Sequence, residues 1–315
     1  MAKVPSCNVT LDFIIPDIAD TQYVSIPQSL SLINRKSFRD GYVYSIDYLE
    51  FIGRAGDVIS IGKIPEGYTT MSAWKMGFEA WKQQRHNAME DVPGASPGKW
   101  SDFKCLMDFN DNVLTRLKPH GLTAGGTSFS ALPTTGSEWN ISKFIVNDVS
   151  AATTTEYNVG MLGANVGTYG ALIQTWGDTR AGTLSPDPNM PGDASGSWII
   201  RTGEEAGEMA LDVMNEIETD NDRPPYANVV EDGTAPTPIY VGGELSVLGG
   251  VLVDITTLGT TGRPNSMSGG LIPLGLLRLN PAWTDTTEGQ ERILRVHLTR
   301  GKYKGVAALP MGDFS

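Results

Sequence analysis

YVGGELSVLGGVLVDITTLGTTGRPNSMSGGLIPLGLLRLN, residues 240–280, decides the fold. Val247, Leu248, Val251, Leu252, Val253 and Ile255 are too dense for an amphipathic surface strand. Gly242, Gly243, Gly249 and Gly250 argue against a helix, because each interior glycine costs about 1 kcal/mol relative to alanine. The pattern predicts a pair of buried strands, with glycines at bulges or where another backbone comes close. Arg263-Pro264-Asn265 and Gly269-Gly270 supply turn chemistry between them. Ile272-Pro273-Leu274 then opens the second strand, where a first-position proline is tolerated. A buried hairpin this late in the chain must pair with strands made much earlier, which is Greek-key wiring.

Those earlier strands are legible. From Cys7 to Ile15, Val9, Leu11, Phe13 and Ile15 share one face and Thr10 and Asp12 the other, a half-buried strand ended by Pro16. Tyr23 to Ile26 pairs weakly. Tyr42, Tyr44, Ile46 and Tyr48 alternate, but Leu49, Phe51 and Ile52 break phase, so a bulge or a passage between layers is expected. Val58 to Ile64, Asp102 to Asp108, Trp139 to Val149, Tyr157 to Leu162 and Ala171 to Trp176 are further strand candidates. Near the end, Leu294, Val296 and Leu298 alternate with Ile293, Arg295 and His297.

Two helices interrupt the strands. In Thr70 to Met89, Met71, Trp74, Phe78 and Trp81 recur at helical spacing, with Thr70 or Ser72 as cap. Such a stripe can stack bases, or it can pack on the sheet or a neighbouring subunit; packing is expected, and Trp74, Phe78 and Trp81 are assigned to a subunit interface. Thr202 to Glu218 opens with a capping box, Thr202 and Glu205, and buries Ala206, Met209, Ala210, Val213 and Ile217. Its other face is acidic, read as a solvated surface rather than an acid–base pair. Residues 119–137 and 179–197 read as loops.

The 315 residues suffice for one large all-β domain or two small ones, and frequent Gly and Pro between short apolar runs suggest a sandwich. We expect a single domain over 1–315, all-β, with long insertions. Cys7 and Cys105 give neither a disulfide framework nor a zinc pattern. Residues 1–20 lack a signal-peptide pattern, and no apolar run reaches the ~20 residues of a membrane span. Asp108 to Asn112 brings oxygen ligands close together but lacks the glycine and distal glutamate of a calcium loop, so a solvated turn is expected. No metal or cofactor is expected. His86, His120 and His297 stand in unrelated contexts, and no HExxH, GxSxG, P-loop or GxGxxG occurs. An enzyme is not expected, although two carboxylates would suffice for a glycosidase.

GRPNSMSGGLIPLGLLRLN resembles the C-terminal region of capsid proteins from small circular single-stranded DNA viruses of the smacovirus and pecovirus type. DGYVYSIDYLEF near residue 45 and MSAWKMGFEAWKQQ extend the likeness, which lies in the order of segments over most of the chain. The resemblance implies a single jelly roll, a virion location, and about sixty copies closing into a small icosahedral shell around single-stranded DNA. The chain departs from the family in charge. Its formal net charge is −12, and its first 34 residues hold only Lys3 as a basic side chain, where many relatives carry an arginine-rich arm. Nucleic-acid contact is therefore expected to be local, at Arg35, Lys36 and Arg39 and at Arg300, Lys302 and Lys304. The alternative is a lectin-like sandwich that stacks sugars on Trp176, Trp198 or Trp283.

Overall fold

The computed structural model describes residues 6–17, 20–90, 102–120, 139–147, 154–180, 228–230, 237–239, 241–243, 250–259, 264–284 and 292–314. Alternation builds the first strand, β1 (Thr10–Ile15), which buries Leu11, Phe13 and Ile15. β2 (Gln22–Ser25) leads into α1 (Ile26–Asn34), a helix the sequence reading missed. Ser25 accepts from the Gln28 backbone N–H at 3.4 Å, Pro27 lies in the first turn, and Arg35 ends the helix in the left-handed region at φ 52°. β3 (Tyr42–Ile52) and β4 (Val58–Lys63) follow. Then come α2 (Tyr68–Glu90), β5 (Lys143–Asn147), β6 (Thr154–Gly160), β7 (Tyr169–Ala171), α3 (Leu172–Arg180), β8 (Asn228–Val230) and β9 (Thr237–Ile239). The chain closes with β10 (Val251–Thr257), β11 (Asn265–Ile272), β12 (Leu276–Ala282), β13 (Arg292–Leu298), β14 (Arg300–Gly301), β15 (Gly305–Val306) and β16 (Ala308–Pro310).

The fold is mostly β. One antiparallel sheet runs β1-β13-β3-β11, with β16 also paired to β3; a second runs β10-β4-β12-β2. Both contribute to one hydrophobic core: Leu11, Phe13, Phe51, Leu294 and Val296 from the first, Val24, Ile59, Ile61, Leu277 and Leu279 from the second. Each such side chain contributes about 1.5–3 kcal/mol by leaving water.

The expected late hairpin takes a different form. β10 and β12 both pair with β4, on opposite sides, while β11 pairs with β3 in the other sheet. The predicted turn residues 265–270 are therefore strand: Met267 is buried between exposed Ser266 and Ser268. The chain crosses between sheets at Pro273–Gly275, where Leu274 has φ 56° and Gly275 φ 63°. A Cβ on Gly275 would lie 2.6 Å from Pro27 Cδ, so the corner needs glycine both for φ and for space.

The phase break in β3 is a bulge. His297 pairs with Tyr48 but Leu298 with Ile46, leaving Asp47 extra. Tyr44 and Ile46 point inward before it, Leu49 and Phe51 after it. At the other end of β3, the fully buried Arg292 ties the strands together. Its Nε donates to Asp57 at 2.7 Å and its Nη1 to Asp17 at 2.6 Å, and its guanidinium lies 4.4 Å from the Trp283 ring centroid.

By contacts, Met1–Glu66, Asn110–Asn140 and Gly250–Phe314 form one compact unit, and Gly67–Phe109 with Ile141–Gly249 a second. The stretches read as insertions thus carry elements and a core of their own. α2 packs on α3 where Gly77 meets Leu172; a Cβ there would sit 2.7 Å from Leu172 Cδ2. Ala171 to Trp176, expected as a strand, is mostly helix: Leu172, Ile173 and Trp176 share its buried side, and Thr175 Oγ1 donates to the Ala171 carbonyl. Asp102 to Asp108 is not a strand either. It joins β6 through Leu106 N–H to the Val159 carbonyl at 2.8 Å and an isolated bridge to Gly160. The expected helix at 202–218, the loop at 181–197, Trp198, Val247 and Leu248 lie outside the described residues.

Candidate functional site

The two basic segments, 261 residues apart between Arg39 and Arg300, converge in the first unit. α1 delivers Arg35 and Lys36 at its C-terminal end, and the chain then runs through Ser37 and Phe38 to Arg39. β14 and β15 form a tight ribbon, Arg300 opposite Val306 and Gly301 opposite Gly305, with Lys302, Tyr303 and Lys304 at its tip. Lys304, itself left-handed at φ 53°, donates its ammonium to the Ser37 carbonyl. Tyr303 accepts at its hydroxyl from the Arg39 N–H at 3.1 Å, and the Tyr44 hydroxyl donates to the Arg39 carbonyl at 2.7 Å. Lys36 Nζ donates to the Ser6 carbonyl at 2.6 Å.

Aromatic rings floor the cluster. Tyr303 stacks on Tyr42 with centroids 4.2 Å apart and meets Phe38 and Tyr44 edge-on at 6.0 and 6.4 Å. The Lys304 ammonium lies 5.4 Å from the Tyr303 centroid and 5.8 Å from that of Phe38. The half-buried Cys7 thiol reports the same convergence. Burial pushes its pKa up, while the nearby charges of Lys36 and Arg300 pull the other way.

Arg35, Lys36, Arg39, Arg300 and Lys302 are exposed and Lys304 is half-buried. Several other described cations are matched: Lys63 with Glu66, Arg116 with Asp111, Lys143 with Glu156, Arg292 with Asp57, and Arg295 with Asp12 and Glu50. Among the described residues, Lys36, Arg39, Arg300 and Lys302 have no such carboxylate within ion-pair distance. Such a group of unneutralised cations suits phosphate oxygens.

Charge is also divided between the units. The first holds 15 of the 24 Lys and Arg and 15 of the 36 Asp and Glu, and is formally neutral. The second holds the other 9 and 21, and carries the whole −12.

The aromatic stripe of α2 is largely a core feature of the second unit. Trp74 is only 7% exposed, stacks on Phe78 at 5.0 Å and meets Phe103 edge-on. Being buried in its own unit, Trp74 presents little surface to a neighbour. Phe78 and Trp81 are half-buried, Trp81 lying 5.6 Å from Phe103 with Arg85 over its ring. Trp176, a sugar-stacking candidate, is 1% exposed and offers no free face to a sugar, while the half-buried Trp283 packs on Phe51 and lies under the Arg292 guanidinium. The turn at 108–112 is not simply solvated. Asp108 and Asp111 are buried, and Arg116 Nε and Nη2 donate to the two oxygens of Asp111 at 2.9 and 2.6 Å. Among the described residues, no group of three or more His, Cys, Asp or Glu is placed to hold a metal, and no helix is long and apolar enough to cross a membrane.

Sequence reasoning found the six cations but not the ring cluster beneath them. The signal was Tyr303 between Lys302 and Lys304, together with the Tyr42 and Tyr44 alternation. Comparison with protein families, with curated proteins and with solved structures finds no match for this chain.

Proposed function

We propose that this chain is a non-enzymatic coat protein of a small single-stranded DNA virus, a jelly roll that assembles with copies of itself into a closed shell. The observation that carries the proposal is strand order. Numbered by chain order, the eight main strands of the first unit run 1-8-3-6 in one sheet and 5-4-7-2 in the other. Consecutive strands thus fall in opposite sheets except the fourth and fifth, which pair within one sheet, and the first and last lie side by side, as in two interlocked Greek keys. Fold alone does not decide function. The resemblance of 262–280 to capsid proteins selects the coat reading from the functions a jelly roll serves.

Two further features support it. β10 pairs with β4 alone among the described strands and exposes Val251 (37%), Leu252 (56%) and Ile255 (56%). Soluble monomers guard such edges with charge, and a chain that meets copies of itself leaves them open. The sandwich unit that carries the basic cluster is formally neutral, so the net acidity of the chain does not oppose cargo contact there.

The test is size-exclusion chromatography with negative-stain microscopy of the purified protein. A megadalton species with closed particles is expected. A strict monomer at all protein concentrations and ionic strengths overturns the coat reading and returns the chain to a binding module.

A further inference from the structure

We propose that the basic cluster takes single-stranded nucleic acid by its bases as well as its phosphates, with the Tyr42–Tyr303 pair as the stacking platform. This inference rests on the reading of the cluster as a nucleic-acid site and goes beyond it. Cations alone track a phosphate backbone whether one strand or two is present. A stacking surface changes that, because only a single strand can lay a base on it.

Four rings meet here, and they are not equivalent. Tyr44 is 0% exposed and Phe38 1%, so both belong to the core. Tyr42 and Tyr303 are half-buried and pack against the core from its rim. Their rings are nearly parallel, at 19°. The platform is also fixed in advance. The Tyr303 hydroxyl is held by the Arg39 N–H, and Lys304 is anchored on Ser37 above Phe38 and Tyr303. A preformed surface spares the ordering cost of binding. Arg300 and Lys302 are exposed on the ribbon that carries Tyr303, and Arg39 is exposed on the segment whose N–H holds the Tyr303 hydroxyl, so cations for the neighbouring phosphates belong to the same cluster.

The experiment measures fluorescence anisotropy of three labelled probes with the full chain: a thymidine decamer, a decamer of abasic sites, and a ten-base-pair hairpin duplex. The thymidine decamer is expected to bind about tenfold or more tighter than the abasic one, the scale of one stacked base. Tyr42→Leu should remove that difference and leave the salt dependence unchanged, while Tyr42→Phe should keep it. The comparison of probes on the unaltered chain stands even if Tyr42→Leu folds poorly. Equal affinity for the thymidine and abasic decamers, with both still salt-dependent, overturns the stacking platform and leaves the phosphate site intact. Retention of the difference in Tyr42→Leu overturns the assignment to this pair. No binding of any probe at low salt overturns both the platform and the nucleic-acid reading of the cluster.

Discussion

At the scale of single residues, Asp57 is a buried carboxylate that ties separate segments of the sandwich together. Its side chain is fully buried and accepts from Arg292 Nε at 2.7 Å, from the Arg54 N–H at 3.0 Å and from the Thr284 N–H at 3.3 Å. Burial by itself would raise its pKa; the hydrogen bonds from Arg292, Arg54 and Thr284, with the Arg292 charge, overcome burial and hold the carboxyl below the ordinary range. A lowered folded value stabilises the fold above the unfolded carboxyl pKa of about 4, and that contribution is lost as pH falls through the folded value. Asp57→Ala is expected to cost about 3–5 kcal/mol in urea unfolding at pH 7, because it leaves Arg292 buried and short of its main partner. Asp57→Asn should flatten the acid limb of the stability–pH profile below about pH 4. An unchanged acid limb would assign the acid sensitivity to other carboxylates.

Arg35 poses the opposite case, a residue whose backbone is badly served by its side chain. Left-handed backbone costs an L-residue about 1–2 kcal/mol, and glycine is the usual occupant of this helix-ending position. Of the three non-glycine residues with positive φ among those described, Arg35 and Lys304 both belong to the basic cluster. Such strain, observed first, points to a functional demand on the side chain. Arg35→Gly is therefore expected to keep or raise the melting temperature and to weaken nucleic-acid binding, with the salt slope falling by about one unit. A clear loss of stability with unchanged binding would make Arg35 a structural residue instead.

At the scale of elements, what was legible followed from periodicity. β1 and β13 alternate strictly enough to be read directly, and the phase break in β3 was legible as either a bulge or a passage between layers, of which the structure has the bulge. α2 was legible from its aromatic spacing. The late hairpin was not. Its glycines and serines looked like turn chemistry, yet Gly269 is in mid-strand because the bulged backbone of β3 leaves no room for a side chain. A Cβ at Gly269 would lie 2.2 Å from the Ile46 carbonyl oxygen and 2.4 Å from that of Asp47. Gly269→Ala must push the two strands apart or abolish the bulge, and either disturbs the pairing of β3 with β11 or with β13 in the first sheet. We expect a loss of more than about 3 kcal/mol, large enough to impair soluble expression and readable as a drop in urea midpoint. A midpoint unchanged within error would mean that β11 shifts freely against β3. α1 and α3 were missed because each follows a strand without a break, and their apolar residues continued the strand pattern in the sequence. The six cations were picked from sequence because they stand out in an acidic chain, and strands from both chain ends can lie together in a jelly roll, so the two clusters could share a surface; the rings on which they meet were not legible, since they depend on which strand ends the topology brings together.

At the scale of the whole molecule, the acidity of the chain and the proposed cargo seem opposed only when charge is averaged. About sixty copies at −12 sum to roughly −720, which cannot neutralise a polyanion by the usual phosphate pairing. Divided by unit, the conflict dissolves: the sandwich is neutral with six cations gathered at one place, and the acidic excess lies within Gly67–Phe109 and Ile141–Gly249. Within a Debye length of about 8–10 Å at moderate salt, a strand of DNA senses the cluster rather than the total. The coat reading then makes a restrictive prediction. With few cations per copy and no arginine-rich stretch in its first 34 residues, packaging should be salt-sensitive and should fail when one half of the cluster is removed. Particles purified at low salt are expected to show a raised ratio of absorbance at 260 to 280 nm that nuclease does not lower. Particles assembled at high salt, and those of the Arg35→Ala, Lys36→Ala, Arg39→Ala triple variant, should close with a protein-like ratio. Closure without DNA would show that shell contacts and cargo contacts are separate. Full, nuclease-resistant DNA in the triple variant would reject the cluster as the packaging site and direct attention to a separate basic partner.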